Sequence, residues 1–455
     1  MVVFHIFKVT KKIVNLQNNL CIMIMLIQLI LGLSILIFLH ELGHFLAAKA
    51  FGIRVDKFYL FFDAFKFKLF SFKIGATEFG IGWLPFGGYC KISGMVDESF
   101  DKNQLKSEAQ PYEYRSKPAW QRLIVIIAGV VMNLITGILI FSLLLTKQSY
   151  LPTEELHGTG IYASPLAREI GFKDGDVILK VNGKSVKRFN DVIDINNLLG
   201  GAEISILRGN DTLLIAIPTD AYKQLQYQQT NIFEPMNLAF SIDSVAEGGL
   251  AAQYGLQKGD VFLEINGDTV SSFGKFKEVL YDNRNSNITV RYVRNAEIHD
   301  TVIPVGEDAV LGFMANIAQN YQVKQYSVGE SFYYGTKDAF SSIFANAKGL
   351  GKIFSGKEKV TESLQGPIGI AQVYGSQWNW FRFWYITGLL SLILAFMNIL
   401  PIPALDGGHL IFIIYELIVR RKPSQRVMEV AQIIGTVFLL MVMLFACGND
   451  IARLF

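Results

Sequence analysis

The chain is poor in cysteine, in charge and in histidine. Its three cysteines, Cys21, Cys90 and Cys447, are odd in number and far apart in 455 residues. They form neither a disulfide framework nor a Cys-x-x-Cys metal site, so any metal must be held by histidine and carboxylate. Charged residues make up only 18%, against roughly 25% in a soluble domain, which argues against a wholly cytosolic chain and against a disordered one. With 42 basic and 39 acidic residues the net charge is +3, and so small an excess excludes a basic footprint for nucleic acid. Apolar residues take the place of charge, at 51%.

Those residues gather into runs near the two ends. An apolar helix needs about 20 residues to cross roughly 30 Å of hydrocarbon, and four runs qualify: Ile22 to Ala48, Leu123 to Leu145, Phe381 to Val419, and Val427 to Cys447. The third is too long for one straight span and is interrupted by Asn398-Ile-Leu-Pro-Ile-Pro-Ala-Leu-Asp-Gly-Gly-His409. Proline removes backbone donors and glycine loosens a helix, so the chain is expected to unwind there, facing the interior of a bundle. Basic clusters flank the spans: Lys49, Arg54 and Lys57; Lys117 and Arg122; Arg420, Arg421, Lys422 and Arg426. All are cytoplasmic if the chain crosses four times from outside, which leaves about 150–376 extracytoplasmic. Lys8, Lys11 and Lys12 oppose this orientation, and a natural start at Met23 or Met25 would remove them. Polar residues inside the first run fit a retained span better than a signal peptide.

Between spans two and three lies an internal repeat. Gly171-Phe-Lys-Asp-Gly-Asp-Val-Ile-Leu-Lys-Val-Asn-Gly-Lys-Ser-Val186 recurs as Gly255-Leu-Gln-Lys-Gly-Asp-Val-Phe-Leu-Glu-Ile-Asn-Gly-Asp-Thr-Val270, a duplicated small domain. Each copy reads as a Gly-Asp turn, a strand (Val177 to Val181, Val261 to Ile265) and an Asn-Gly hairpin, with later strands at Glu203 to Leu207 and Ile288 to Val293. The pattern resembles circularly permuted PDZ domains of bacterial envelope proteases. Such domains can bind a peptide at a sheet edge, and a spacer or size-filter role has equal standing.

The chemistry concentrates in the first span, at His40-Glu-Leu-Gly-His44. Two histidines four apart share a helix face and can ligate zinc, while Glu41 can take a proton from water. From six histidines the chance expectation for such a pair is roughly 0.08, and below about 0.01 with an acid after the first. Ionisable residues within a span are costly and usually functional. A catalytic zinc takes three protein ligands, and Asp406 is the best third, since Glu416, the other carboxylate of that stretch, lies near its cytoplasmic end. His409 is a weaker competitor. Asn398 and the loosened backbone around Pro403 can hydrogen-bond a peptide carbonyl or oxyanion, with an interhelical contact equally open for Asn398.

These two motifs resemble the site-2 protease family of intramembrane zinc metalloproteases, and the repeat between spans two and three is similar to its RseP (regulator of sigma-E protease) type. The resemblance implies His40, His44 and Asp406 as zinc ligands, Glu41 as general base, and Asn398 and Pro403 as substrate-positioning residues. It implies cleavage of single-span transmembrane proteins, such as trimmed anti-sigma factors or remnant signal peptides, in a bacterial cytoplasmic (inner) membrane. The metal motif lies further from the start than in the family pattern.

The cytoplasmic loop is rich in Phe and Gly. Phe65-Lys-Phe-Lys-Leu69 alternates as a half-buried strand does, and a hairpin resting in the membrane is expected. A strand edge near Gly80-Ile-Gly82 or Pro85-Phe-Gly-Gly-Tyr89 is expected to capture unwound substrate backbone. Ser331 to Phe354 reads as an interfacial amphipathic helix.

The expected architecture is a polytopic α-helical membrane protein with about four transmembrane helices, a membrane-associated β-loop and two extracytoplasmic PDZ-like domains. Its parts are an N-terminal extension (1–21), span one (22–48), the β-loop region (49–118), span two (119–146), PDZ-like domains at 150–228 and 229–320, an amphipathic interfacial segment (325–378), the broken third span (379–419) and span four (427–447). Two rival classes are a catalytically inactive PDZ scaffold and a metal transporter. A scaffold needs no acid between two histidines, and a transporter usually repeats its broken span.

Overall fold

A computed structural model describes residues 2–95, 108–198, 201–218, 221, 231–236, 240–246, 248–270, 272–316, 321–356 and 358–453. The expected domain boundary at 228/229, the expected end at 320 and residues 96–107 of the β-loop region lie outside them. The chain divides into two compact units, one of residues 1–146 with 328–455 and one of 147–327.

The first unit begins with α1 (Val2–Ala50). It ends where Gly52 takes a left-handed φ of 65° and the Ile53 and Gly52 amides return to the Ala48 and Lys49 carbonyls, a turn that glycine adopts without steric cost. Four strands follow: β1 (Val55–Phe62), β2 (Lys68–Ile74), β3 (Thr77–Gly82) and β4 (Leu84–Ile92). They form one sheet in the order β2-β3-β1-β4.

This sheet corrects two expectations. The strand read over Phe65 to Leu69 starts only at Lys68, because Phe65 turns to a φ of 58° and Ala64–Lys66 is a tight helical turn. Gly80 and Gly82 do not form a free edge. Gly80 pairs with Tyr59 of β1 on one side and Ser71 of β2 on the other, and Gly82 pairs with Lys68. Both glycines are there for close packing: a Cβ on Gly80 would meet the Tyr59 ring, and one on Gly82 the Phe62 carbonyl. The strands at the two ends of the sheet are β2 and β4, and β4 holds Pro85 to Tyr89.

The helix α2 (Ala119–Leu145) opens immediately after Pro118, a residue suited to a helix start. It crosses α1 at glycine: a Cβ on Gly43 would collide with the Ala128 carbonyl, and one on Gly129 with both histidine rings of α1.

The second unit holds the repeat. Its strands are β5 (Ser149–Tyr150) and β6 (Ile161–Ala163), then after α3 (Pro165–Ile170) β7 (Val177–Val181), β8 (Lys184–Ser185), β9 (Glu203–Arg208), β10 (Asp211–Ala216) and β11 (Phe233–Pro235). In the second copy they are β12 (Ser241–Val245), β13 (Val261–Ile265) and β14 (Asp268–Thr269), then after α4 (Phe273–Asp282) β15 (Asn287–Arg294), β16 (Glu297–Pro304), β17 (Phe313–Asn316) and β18 (Lys324–Gln325). The copies share their internal bonds. Arg208 grips buried Asp176 at 2.8 Å and reaches the Gly171 carbonyl, as Arg294 grips Asp260 at 2.7 Å and reaches Gly255. Asn182 and Asn266, both at positive φ, accept from the Glu203 and Thr289 amides. Each copy has its own apolar core, one around Ile178, Ile204 and Phe233 and one around Phe240, Phe262 and Phe276. β18 pairs with β5, so the unit's two ends leave side by side, as insertion between two helices requires.

Helix α4 joins the copies. Glu278 accepts from the Tyr162 hydroxyl and from Arg168 at 3.2 Å, and Lys277 pairs with Glu234.

The first unit resumes with α5 (Val328–Phe354), α6 (Pro367–Tyr374), α7 (Trp380–Ile399), α8 (Asp406–Val419) and α9 (Gln425–Ala452). One side of α5 packs against α2 and α7: a Cβ on Gly335 would strike Ser142, and Ala339 is buried with Phe141 and Leu392. The third span is broken as expected. α7 stops at Ile399, Ala404 adopts a φ of 80°, and α8 starts at Asp406. Gly407 and Gly408 allow this fold-back, since Cβ atoms there would overlap the Leu400 carbonyl and Pro403. Gln432 and Gly435 of α9 close the break, Gln432 accepting from the Ala404 amide at 3.3 Å and Gly435 abutting the Pro403 carbonyl. Farther along α9, Asp450 accepts from the amides of Gly366, Ile368 and Gly369 and so caps α6. Among the described residues four helical stretches are long and apolar enough to cross a membrane: Leu20–Ala50, Ala119–Leu145, Trp380–Ile399 and Arg426–Ala452.

The clamp at Glu278 predicts a pH effect. Burial raises its pKa, but the Tyr162 hydroxyl, Arg168 and Lys275 outweigh that and hold it below the ordinary 4.5. Its stabilising contribution is complete above that pH and is lost as pH falls through the lower folded value. Glu278→Gln should cost about 1.5–3 kcal/mol at neutral pH, and the gap in thermal midpoint between wild type and variant should narrow on acidification below 4.5. A pH-independent gap would contradict the clamp.

Candidate metal centre

Helical spacing puts His40 and His44 on one face of α1, with Nε2 atoms 3.2 Å apart. Asp406, the first residue of α8, brings Oδ2 to 3.2 Å from His40 Nε2 and 3.4 Å from His44 Nε2. The ligand atoms of these three residues lie within 4.8 Å of one another. Among the described residues Asp406 Oδ2 is buried without a hydrogen-bond partner. A buried carboxylate oxygen with no donor, facing two imidazole nitrogens, is a donor set suited to zinc with a fourth position open.

The neighbouring helix orients the two histidine rings. His44 Nδ1 donates to the Val125 carbonyl at 2.8 Å, which leaves Nε2 free to ligate. Gly129, one turn on, provides the room that both rings occupy. His40 Nδ1 lies 3.2 Å from the side-chain amide of Asn133, one further turn on. Sequence reasoning missed Gly129 and Asn133. The available signal was a glycine and an amide four residues apart inside an apolar span.

A cavity of about 390 Å³ adjoins the cluster. Its lining includes Glu41, Asn398 and His409 beside His40, His44 and Asp406, and Tyr89 and Cys90 of β4. Cys90 and Glu41 thus face the same cavity from β4 and α1. His409 stands outside the three-residue ligand cluster. Pro403 does not line the cavity; it braces the break against Gly408 and Gly435. Gly80 and Gly82 are also absent from the lining. Asp63 lines it as well and accepts from Lys57 at 2.6 Å and the Tyr89 hydroxyl at 2.8 Å. Burial raises the Asp63 pKa, but those two bonds hold it below the usual carboxylate range.

A family model described as Peptidase family M50 matches residues 28–442. The chain belongs to peptidase family M50. It is accordingly a zinc metalloprotease. Similar proteins include a Regulator of sigma E protease of Haemophilus influenzae, 29% identical over 93% of this chain and 98% of the relative. Another is the Metalloprotease MmpA of Caulobacter vibrioides, 27% identical over 95% and 96%. A third is the Regulator of sigma-E protease RseP of Escherichia coli, 26% identical over 94% and 98%.

The crowding at Gly129 sets a prediction for the metalloprotease. Gly129→Ala puts a methyl group where the His44 and His40 rings sit, so bound zinc should fall at least tenfold in affinity while the purified variant keeps its helical content. Zinc retained at wild-type affinity would show that the rings are not confined as described.

Proposed function

We propose that this metalloprotease cuts single-span transmembrane proteins within the membrane, with His40, His44 and Asp406 holding zinc and Glu41 as general base. The observation that carries the reading is the convergence of two histidines and an aspartate, with Glu41 in the same cavity, among helices apolar enough to span a bilayer. Zinc bound there supplies Lewis-acid polarisation of the scissile carbonyl and a lowered pKa for water. Glu41 accepts the proton released by the attacking water and delivers it to the leaving amine. Asn398 hydrogen-bonds the substrate backbone at the cavity wall, and Pro403 positions that wall through the break it stiffens.

A transmembrane helix hides its amides in internal hydrogen bonds, so it must unwind before attack. The terminal strand β4 supports capture of the unwound segment by strand addition: it lies at one end of the sheet, and its Gly88, Tyr89 and Cys90 line the cavity that holds Glu41. The exposed side chains of Phe65 and Phe67, which lead into β2, and of Leu69 and Phe70 on β2, at the other end of the sheet, fit a β-loop resting in lipid.

The protein is an inner-membrane, multi-pass enzyme of bacterial type in this reading, with the two repeats as extracytoplasmic PDZ-like domains that bind peptide or exclude bulky ectodomains. Its substrates are pre-trimmed anti-sigma factors or remnant signal peptides.

The test is cleavage of a model single-span substrate by detergent-purified wild type and Glu41→Gln, with zinc quantified in both. We expect cleavage by wild type and a loss of at least about 100-fold in the variant at unchanged zinc content. Zinc-loaded wild type that cuts none of several trimmed helices would favour a scaffold. For the strand-addition step, N-methylating alternate substrate amides beside the scissile bond should slow cleavage at least about tenfold, through loss of roughly one backbone hydrogen bond each. Unchanged rates would sink that step.

A further inference from the structure

The two histidine ligands are supported from one row of α2. Val125, Gly129 and Asn133 follow at intervals of four, so they share a face. His44 Nδ1 meets the Val125 carbonyl and His40 Nδ1 meets the Asn133 amide, with Gly129 between them. Asn133 is 1% exposed. Its amide nitrogen is the atom turned to His40, and its Oδ1 is buried without a partner among the described residues. The Asn133 backbone is pinned from the other side, where Ser391 Oγ donates to its carbonyl at 2.7 Å.

A histidine that gives its Nε2 lone pair to a metal carries its proton on Nδ1, and that N–H needs an acceptor. An amide nitrogen cannot accept. The two ends of an asparagine amide are nearly equal in shape, so a half-turn of the group puts Oδ1 where Nδ2 stands. We propose that Asn133 is a positioning residue whose Oδ1 accepts the His40 Nδ1–H and fixes the ring in its zinc-binding tautomer. Each histidine then has one acceptor from α2, a backbone carbonyl for His44 and a side-chain carbonyl for His40. The inference rests on the zinc-site reading above and concerns metal binding before any turnover.

The test uses the full chain in detergent and zinc alone, with affinity measured by competition against a chromophoric chelator. Asn133→Leu removes the acceptor and should weaken zinc binding about 10–100-fold. Asn133→Asp can only accept, and should bind zinc within about threefold of wild type or more tightly. The thermal midpoint of each metal-free variant reports whether the bundle is intact, and if one variant does not fold the other decides. Leu at wild-type affinity overturns the proposal, and so does Asp as weak as Leu, which would make Asn133 a donor or a packing group. A wild type that binds no zinc overturns the metal site itself, whereas zinc-binding wild type with an indifferent Asn133 overturns only this inference.

Discussion

Polar ligand atoms inside an apolar bundle are costly unless each has a partner on a neighbouring helix, and the close crossing of α1 and α2 meets that requirement here. An unsatisfied buried polar group costs about 1–3 kcal/mol, and water is scarce among apolar spans. The crossing is tight because Gly43 and Gly129 bear no side chain. Backbone contact at that level lets a main-chain carbonyl, Val125, reach a histidine ring. A larger residue at either glycine would separate the helices and leave the ring nitrogens without partners.

The third residue of the proposed zinc site depends on a second constraint. Asp406 is brought inward by a break in an apolar helix, and a break exposes backbone groups that must be satisfied within the protein. Gln432 takes the Ala404 amide, Gly435 admits the Pro403 carbonyl, and Gly407 and Gly408 let α8 restart against its own turn. At the other end of α8, half-buried Glu416 pairs with buried Arg122 of α2 at 2.5 Å. A hydrogen bond to a charged group contributes about 1.5–3 kcal/mol, so α8 is held to the helix that also orients the histidines. The ligand set is therefore a property of four helices, and α2 contacts both the histidine pair and the helix that carries the aspartate.

Much of this was legible from residue order because the signals were local. His40, Glu41 and His44 sit at helical spacing within one apolar run, and Pro401, Pro403, Gly407 and Gly408 mark the break that carries Asp406. The repeat was legible because its Gly-Asp and Asn-Gly turns recur with the strands between them. Sheet order was not legible. Gly80 to Gly82 looks like an edge by composition, yet β1 and β2 close it from both sides, and this pairing is set by contacts distant in sequence. Asn133 and Gly129 were missed because their meaning comes from which helix faces α1. The amphipathic pattern of α5 was legible, but the helices its buried side packs against, α2 and α7, were not.

The central claim is that two imidazoles and one carboxylate hold the zinc. Its most direct test is the zinc absorption-edge fine structure of the purified, zinc-loaded protein. The account predicts two imidazole nitrogens at about 2.0–2.1 Å with oxygen as the remaining ligands. A sulfur ligand at about 2.3 Å, for which Cys90 beside Glu41 is the nearest source, or an all-oxygen shell without imidazole scattering would contradict it.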